Sequence, residues 1–262
     1  MTSPTAGALL TEAPAGRHFC QFHRRDVAST ESVFRFLDGG LRRGNSVVLV
    51  ATPAHCDQFL ARLSNGNFHP QALRHSGQLE VLDAAALNER CCANGQGSLP
   101  DWGRFHTTFG TILERVKPFG RGVRVYVEMA SLLWEDGRTE AAIKLEDYWN
   151  MLGRMTPFAL YCGYRIDTQC EKSFAGPLEE IGRAHTEILG GEDDDAFGLA
   201  LDRASKEIFG IALSEMAGVT RLDGARRFPS GQRTMLWVKR NLPLSTPQLA
   251  EKARRYFLEN GA

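Results

Sequence analysis

No G-x-x-x-x-G-K-[ST] motif occurs in the 262 residues, so the chain lacks the lysine-bearing loop that grips a triphosphate in P-loop proteins. No C-x-x-C pair is present either, which removes the simplest zinc and dithiol patterns. No run of about 18 apolar residues appears, and the stretch before Arg17 has no basic flank, apolar core and small-residue cleavage site. A membrane span and a secretory leader are therefore not expected, and the predicted setting is the cytoplasm. Charge of one sign is also missing, because 31 Lys and Arg balance 31 Asp and Glu. That balance supplies no global field drawing the protein to nucleic acid or an anionic membrane.

What is present suits a folded protein with a sizeable core: 43% of residues are hydrophobic and 24% charged, ordinary values for a globular chain. The length fits one α/β domain and a smaller appendage. The cysteines are Cys20, Cys56, Cys91, Cys92, Cys162 and Cys170. A chain of this size needs no disulfide staples, so reduced thiols are expected. Cys91 and Cys92, beside the Gly-rich segment 93–100, are the candidates for redox chemistry if that segment is exposed.

Residues 1–16 are small and polar, punctuated by Pro4 and Pro14, and read as a flexible arm. A helix is predicted from Ser29 to Leu41, with Gly39-Gly40 near its end. Val47 to Ala51 is a continuous aliphatic run that fits a strand covered on both faces. Thr52 is placed to cap the next helix, with Pro53 at its first position. Further strands are predicted at Leu79–Leu82, Val123–Val127 and Phe158–Cys162, separated by helices at Asp101–Lys117 and Thr139–Met151. This alternation argues for a mainly parallel sheet with flanking helices. A helix carrying His185 is predicted over Pro177–Leu189. Residues 190–196 form an acidic linker, and 197–262 read as a mostly helical module in which Thr234–Leu242 stays ambiguous between strand and helix.

Several residues stand out as carriers of chemistry. Glu128 follows the Val123–Val127 strand, where open α/β sheets place their ligands, and a carboxylate there can orient water, accept a ligand hydrogen bond or tie down the next helix. Thr52 and His55 open the helix after the Val47–Ala51 strand, where backbone donors can hold an anion. Glu146 and Asn150 lie four residues apart and share a helix face, with Trp149 between them as an anchor on the sheet. His18, Cys20 and His23 could supply metal or haem ligands, but in a strand His23 points away from the other two. The basic pairs Arg226-Arg227 and Lys239-Arg240 have no recognition helix beside them, so direct DNA binding is not expected.

The strand and turn at Ser46–Pro53 resemble the first strand and turn of a RecA-like nucleotide-binding fold without its phosphate grip. Ordered blocks along the chain carry a more specific likeness: His18-Phe19-Cys20-Gln21-Phe22, the VFRFLDGGLRRG segment from Val33, VVLVATPAH from Val47, and Val127-Glu128-Met129 before Leu132-Leu133-Trp134. Leu145-Glu146, Trp149-Asn150-Met151-Leu152, Phe158 to Tyr164 and His185 complete the set. Over roughly 17–189 the chain resembles the MEDS family, the sensory domain of methanogen and methylotroph proteins and of the DcmR regulator. The resemblance implies a RecA-like fold and a role as sensor in transcriptional or two-component signalling, with no common ligand. Val127 stands where the family pattern has a glycine, and only the 1–16 arm precedes the domain, where DcmR-like regulators carry a DNA-binding domain. The expected output therefore passes through the 197–262 module or a partner protein.

The resulting expectation is a non-catalytic sensory or regulatory protein in which a small molecule or protein partner repositions the C-terminal module. Its pocket is expected at the strand ends, from His18, Thr52, His55, Glu128, Glu146 and Asn150, and the sequence names no cofactor. Two alternatives stay open: an enzyme or weak nucleotide hydrolase using Glu128, and a metal or haem sensor using His18, Cys20 and His23. Homo-oligomerisation is also left open.

Overall fold

The computed structural model describes residues 6–24, 31–92, 98–119, 121–169, 178–190, 193–216 and 228–260. Cys170, Arg226-Arg227 and most of the Gly-rich segment after Cys92 lie outside them. The chain divides into two compact units, residues 1–20 with 26–165, and residues 21–25 with 166–262. No helix among the described residues is long and apolar enough to cross a membrane.

In the first unit the elements run α1 (Ala6–Glu12), β1 (His18–His23, whose last residues belong to the second unit), α2 (Glu31–Arg42), β2 (Ser46–Ala51), α3 (Pro53–Asn65) and α4 (Pro70–His75). They continue with β3 (Leu79–Asp83), α5 (Ala84–Cys91), α6 (Trp102–Val116), β4 (Val123–Val127), α7 (Met129–Glu135), α8 (Thr139–Met155) and β5 (Ala159–Arg165). The strands of this unit lie in the order β3-β2-β4-β5-β1. β2 pairs in parallel with β3 and with β4, and β4 with β5. Helices between parallel neighbours bury both faces of the sheet, and Val47 to Ala51 of β2 are completely buried.

Capping follows the predicted chemistry. Thr52 caps α3 by accepting the His55 N–H, with Pro53 in the first turn. Asp83 and Asp101 cap α5 and α6 in the same way. The core is aromatic on both faces. Phe59, Tyr126, Tyr161 and Phe36 form a chain of edge-on contacts with centroids 5.4 to 5.5 Å apart. Trp149 packs against Phe109 at 4.4 Å and Phe105 at 5.0 Å, so it is the anchor its apolar ring predicts.

The flexible-arm expectation for residues 1–16 is corrected over α1, which is a packed helix with Leu10 buried. Composition could not reveal its anchor, the buried guanidinium of Arg124. Nε donates to Asn45 Oδ1 at 3.1 Å, one terminal nitrogen donates to the Leu10 and Phe36 carbonyls, and the other to those of Thr11 and Glu12, all at 2.9 Å. Three of these carbonyls belong to the last turn of α1, where no intrahelical donor remains.

The Gly39-Gly40 pair lies near the end of α2, as predicted, with the helix running on to Arg42. A Cβ on Gly39 would stand 2.7 Å from the Thr11 carbonyl oxygen, and one on Gly40 would stand 2.6 Å from Arg124 Cδ. The pair lets α1 and the arginine approach α2 closely. Gly39→Ala is expected to cost about 1–3 kcal/mol by overpacking against backbone that has no rotamer to yield, measurable as a lower urea midpoint.

In the second unit the elements are α9 (Leu178–Ala184), β6 (Glu187–Leu189), α10 (Asp194–Phe209), α11 (Ser230–Asn241) and α12 (Thr246–Asn260). β6 is a short strand with Ile188 and Leu189 buried. The single helix predicted over Pro177–Leu189 is thus a helix followed by a strand, because sheet pairing available only in the folded chain claims Glu187–Leu189. The ambiguous Thr234–Leu242 is helical, as part of α11. Gly210 ends α10 in the left-handed conformation (φ 77°). Arg24 pairs with Asp193 at 2.9 Å and covers the Phe257 ring. Arg240, one of the basic pairs, is held by Glu179 at 2.7 Å.

Candidate functional site

The strand register divides the predicted site residues between the two faces of the sheet. Tyr126 pairs with Tyr161 and Val127 with Cys162, and paired residues in parallel strands share a face while successive residues alternate. Glu128 continues the Tyr126 side, whereas Cys162 faces the opposite way. A single pocket joining Glu128 to His18 is therefore replaced by two polar groups.

On the first face Glu128 is almost fully buried at the carboxyl end of β4. Its carboxylate accepts the Thr52 N–H at 3.1 Å, the Tyr126 hydroxyl at 2.9 Å and His55 Nδ1 at 2.8 and 2.9 Å. It makes no side-chain cap for α7. Burial, reinforced by Glu128, pushes the Tyr126 phenol well up, so it remains a protonated donor. The carboxylate thus takes the backbone donor at the β2–α3 turn that an anionic ligand would otherwise use. His55 is the partly exposed member, its side chain 20% accessible.

On the second face His18, at the start of β1, meets α8 and β5. Its Nδ1 lies 3.0 Å from Asn150 Oδ1, and its Nε2 lies 3.2 Å from both Cys162 Sγ and Glu146 Oε2. Cys162 Sγ is 3.5 Å from Glu146 Oε2, and the Tyr164 hydroxyl donates to Glu146 Oε1. Glu146 is wholly buried, so the shared helix face of Glu146 and Asn150 points inward. Burial first, then the Glu146 charge, holds the Cys162 thiol and Tyr164 phenol far above their ordinary values.

The alternative that grouped His18, Cys20 and His23 is answered differently by the hydrogen bonds of His18. His18 finds Cys162 and Glu146, partners remote in sequence. His23 is buried with no hydrogen-bond partner for Nε2 among the described residues, and desolvation lowers its pKa to about 4.

A recess of about 260 Å³ opens beside His18, lined by Arg17, His18, Trp149, Asn150, Arg154 and Phe158 among others. Arg17 and Arg154 are exposed at its rim, and Trp149 and Phe158 are buried apolar walls. The Trp149 indole N–H is buried without an acceptor among the described residues. Sequence reading missed Arg17 and Arg154 because isolated arginines carry no periodic signal. The redox expectation for Cys91 and Cys92 is corrected as well. Both thiols are buried, and burial pushes Cys91 up to about 12, which leaves it a poor nucleophile.

A mainly parallel α/β sheet with polar clusters buried on both faces, accompanied by a helical C-terminal module, is the frame of a sensory and regulatory protein. The chain belongs to the MEDS family, the MEthanogen/methylotroph, DcmR Sensory domain, whose model matches residues 17–176. No curated protein matches the chain.

Proposed function

We propose that the domain is a non-catalytic sensor of a small amphipathic anion, bound in the recess beside His18. The observation that carries this reading is the pairing of that recess with the buried His18 network: a ligand touching Asn150 or His18 also touches Glu146 through hydrogen bonds. The rim arginines suit a carboxylate, and the indole and phenyl walls suit a short apolar body. At about 260 Å³ the space is smaller than the roughly 300–1,000 Å³ typical of larger ligands.

In this reading the frame is RecA-like, and Glu128, Thr52 and His55 form a closed group in place of a phosphate site. A carboxylate already accepting the Thr52 N–H repels a triphosphate, which argues against nucleotide hydrolysis. The sensory domain spans 17–189, the output passes through 197–262 or a partner protein, and the mechanism is a population shift set by the ligand's preference for one state. A cytoplasmic setting follows from the same reading.

Thermal unfolding in the presence of short-chain carboxylates and of MgATP tests it. One or more carboxylates should raise the midpoint of the unaltered protein by a few degrees at saturating concentration, and MgATP should leave it unchanged. Arg154→Met and Asn150→Ala should each remove most of the carboxylate effect. A carboxylate series with no effect, or a MgATP effect accompanied by phosphate release, would refute the proposal.

A further inference from the structure

Three different donor atoms converge on the α8 side of the sheet: His18 Nε2, Cys162 Sγ and Glu146 Oε2. They lie within 4.8 Å of one another, with edges of 3.2, 3.2 and 3.5 Å. Bonds of about 2.0–2.1 Å to nitrogen, 2.0–2.2 Å to oxygen and 2.3 Å to sulfur, at tetrahedral angles, require about 3.3–3.6 Å between ligand atoms. The triangle therefore matches one face of a tetrahedral metal site with shifts of a few tenths of an ångström. All three residues are buried, unlike the solvated acidic clusters that often mimic metal sites on protein surfaces.

The outer groups supply an independent argument. Asn150 Oδ1 lies 3.0 Å from His18 Nδ1 and holds the ring with Nε2 turned towards Cys162 and Glu146. The Tyr164 hydroxyl donates to Glu146 Oε1 and so leaves Oε2 as the inward oxygen. Metal-binding histidines and carboxylates are held through their second atoms in this way.

We propose that His18, Cys162 and Glu146 bind one divalent transition-metal ion of the zinc type. A mixed nitrogen, sulfur and oxygen set selects borderline ions such as Zn²⁺ or Co²⁺ over Ca²⁺ and Mg²⁺, which take oxygen donors. On binding, the Cys162 S–H bond breaks, its electron pair forms the sulfur–metal bond and the proton leaves to solvent. No oxidation or reduction occurs. The set differs from the His18, Cys20 and His23 grouping that sequence proximity suggests, and the inference is independent of any ligand in the neighbouring recess.

The test uses the full chain, stripped with chelator and titrated with Co²⁺ alone. One equivalent should bind, with a thiolate-to-cobalt charge-transfer absorption and the intense visible bands of tetrahedral cobalt. Cys162→Ser should abolish the charge-transfer absorption, and Cys56→Ser should retain it. Zn²⁺ should bleach the cobalt spectrum, whereas Mg²⁺ at a hundredfold excess should not. Absence of a stoichiometric cobalt spectrum in the unaltered protein would overturn the site whatever the variants do. So would a charge-transfer band that survives Cys162→Ser in a folded protein but is lost in Cys20→Ser. Cobalt binding without a carboxylate effect sinks the recess reading alone, and a carboxylate effect without cobalt binding sinks the metal site alone.

Discussion

Arg124→Met should lower the stability of the first unit by about 4 kcal/mol and free α1 for proteolysis. The guanidinium is 1% exposed, and its five N–H donors make five hydrogen bonds, four of them to backbone carbonyls. Methionine fills much of the volume but donates nothing. Each stranded carbonyl costs about 1 kcal/mol at the low end, so four account for the expected loss. Three of the acceptors close α1, whose C-terminal dipole favours a cation. Burial, with Arg43 adding repulsion, lowers the guanidinium to about 10, so it stays charged at neutral pH. Arg124→Lys should restore only part of the loss, because three donors cannot reach five acceptors arranged around a planar fork. Urea unfolding and limited proteolysis within residues 6–16 read the effect. A loss under 1 kcal/mol with α1 still protected would show that the arginine is not its anchor.

Acid should weaken the second unit through His23. Desolvation holds its folded pKa at about 4 against the ordinary 6.5, so the folded state takes up fewer protons between those values. The sign follows from linkage: the neutral imidazole's contribution is whole above pH 6.5 and is lost as pH falls towards 4. At 1.36 kcal/mol per pH unit the gap corresponds to about 3 kcal/mol. His23→Leu should remove that part of the acid slope and leave stability at pH 7 equal or higher, since the orphaned Nε2 goes with it.

Asp194 in the same unit acts in the opposite direction. Burial, then the neighbouring Asp195, raises it to about 6 from 3.8, so its contribution is present at low pH and lost as pH rises through that window. Asp194→Asn should therefore steepen the fall between pH 6 and 4 that His23→Leu flattens. Denaturation midpoints at half-unit steps from pH 4 to 7 distinguish the two. An unchanged acid slope in His23→Leu would show that another group controls it.

Periodicity and capping chemistry made much of the first unit legible before any coordinates. An aliphatic run bounded by Thr52 and Pro53 has few alternatives to a buried strand feeding a capped helix, and Asp83 repeats the arrangement between β3 and α5. The Glu146–Asn150 spacing placed both residues on one helix face, yet a helical repeat does not say which neighbour that face meets. Gly39-Gly40, near the end of α2 as predicted, has a second role that periodicity does not show. Glycine signals a helix end as readily as a close crossing, and only α1 and Arg124, lying against α2, distinguish them.

The sequence by itself determined the α/β alternation, the family and the residue types available for chemistry, because these depend on local propensity and on order along the chain. Only the tertiary structure decided that Glu128 and His18 belong to opposite faces, that Cys162 replaces Cys20 as the histidine's partner and that Arg124 seals α1. Each of these follows from strand register and helix docking. A one-residue change of register inverts every side chain of a strand, so contacts between residues 144 positions apart, as for His18 and Cys162, are fixed only when the sheet assembles.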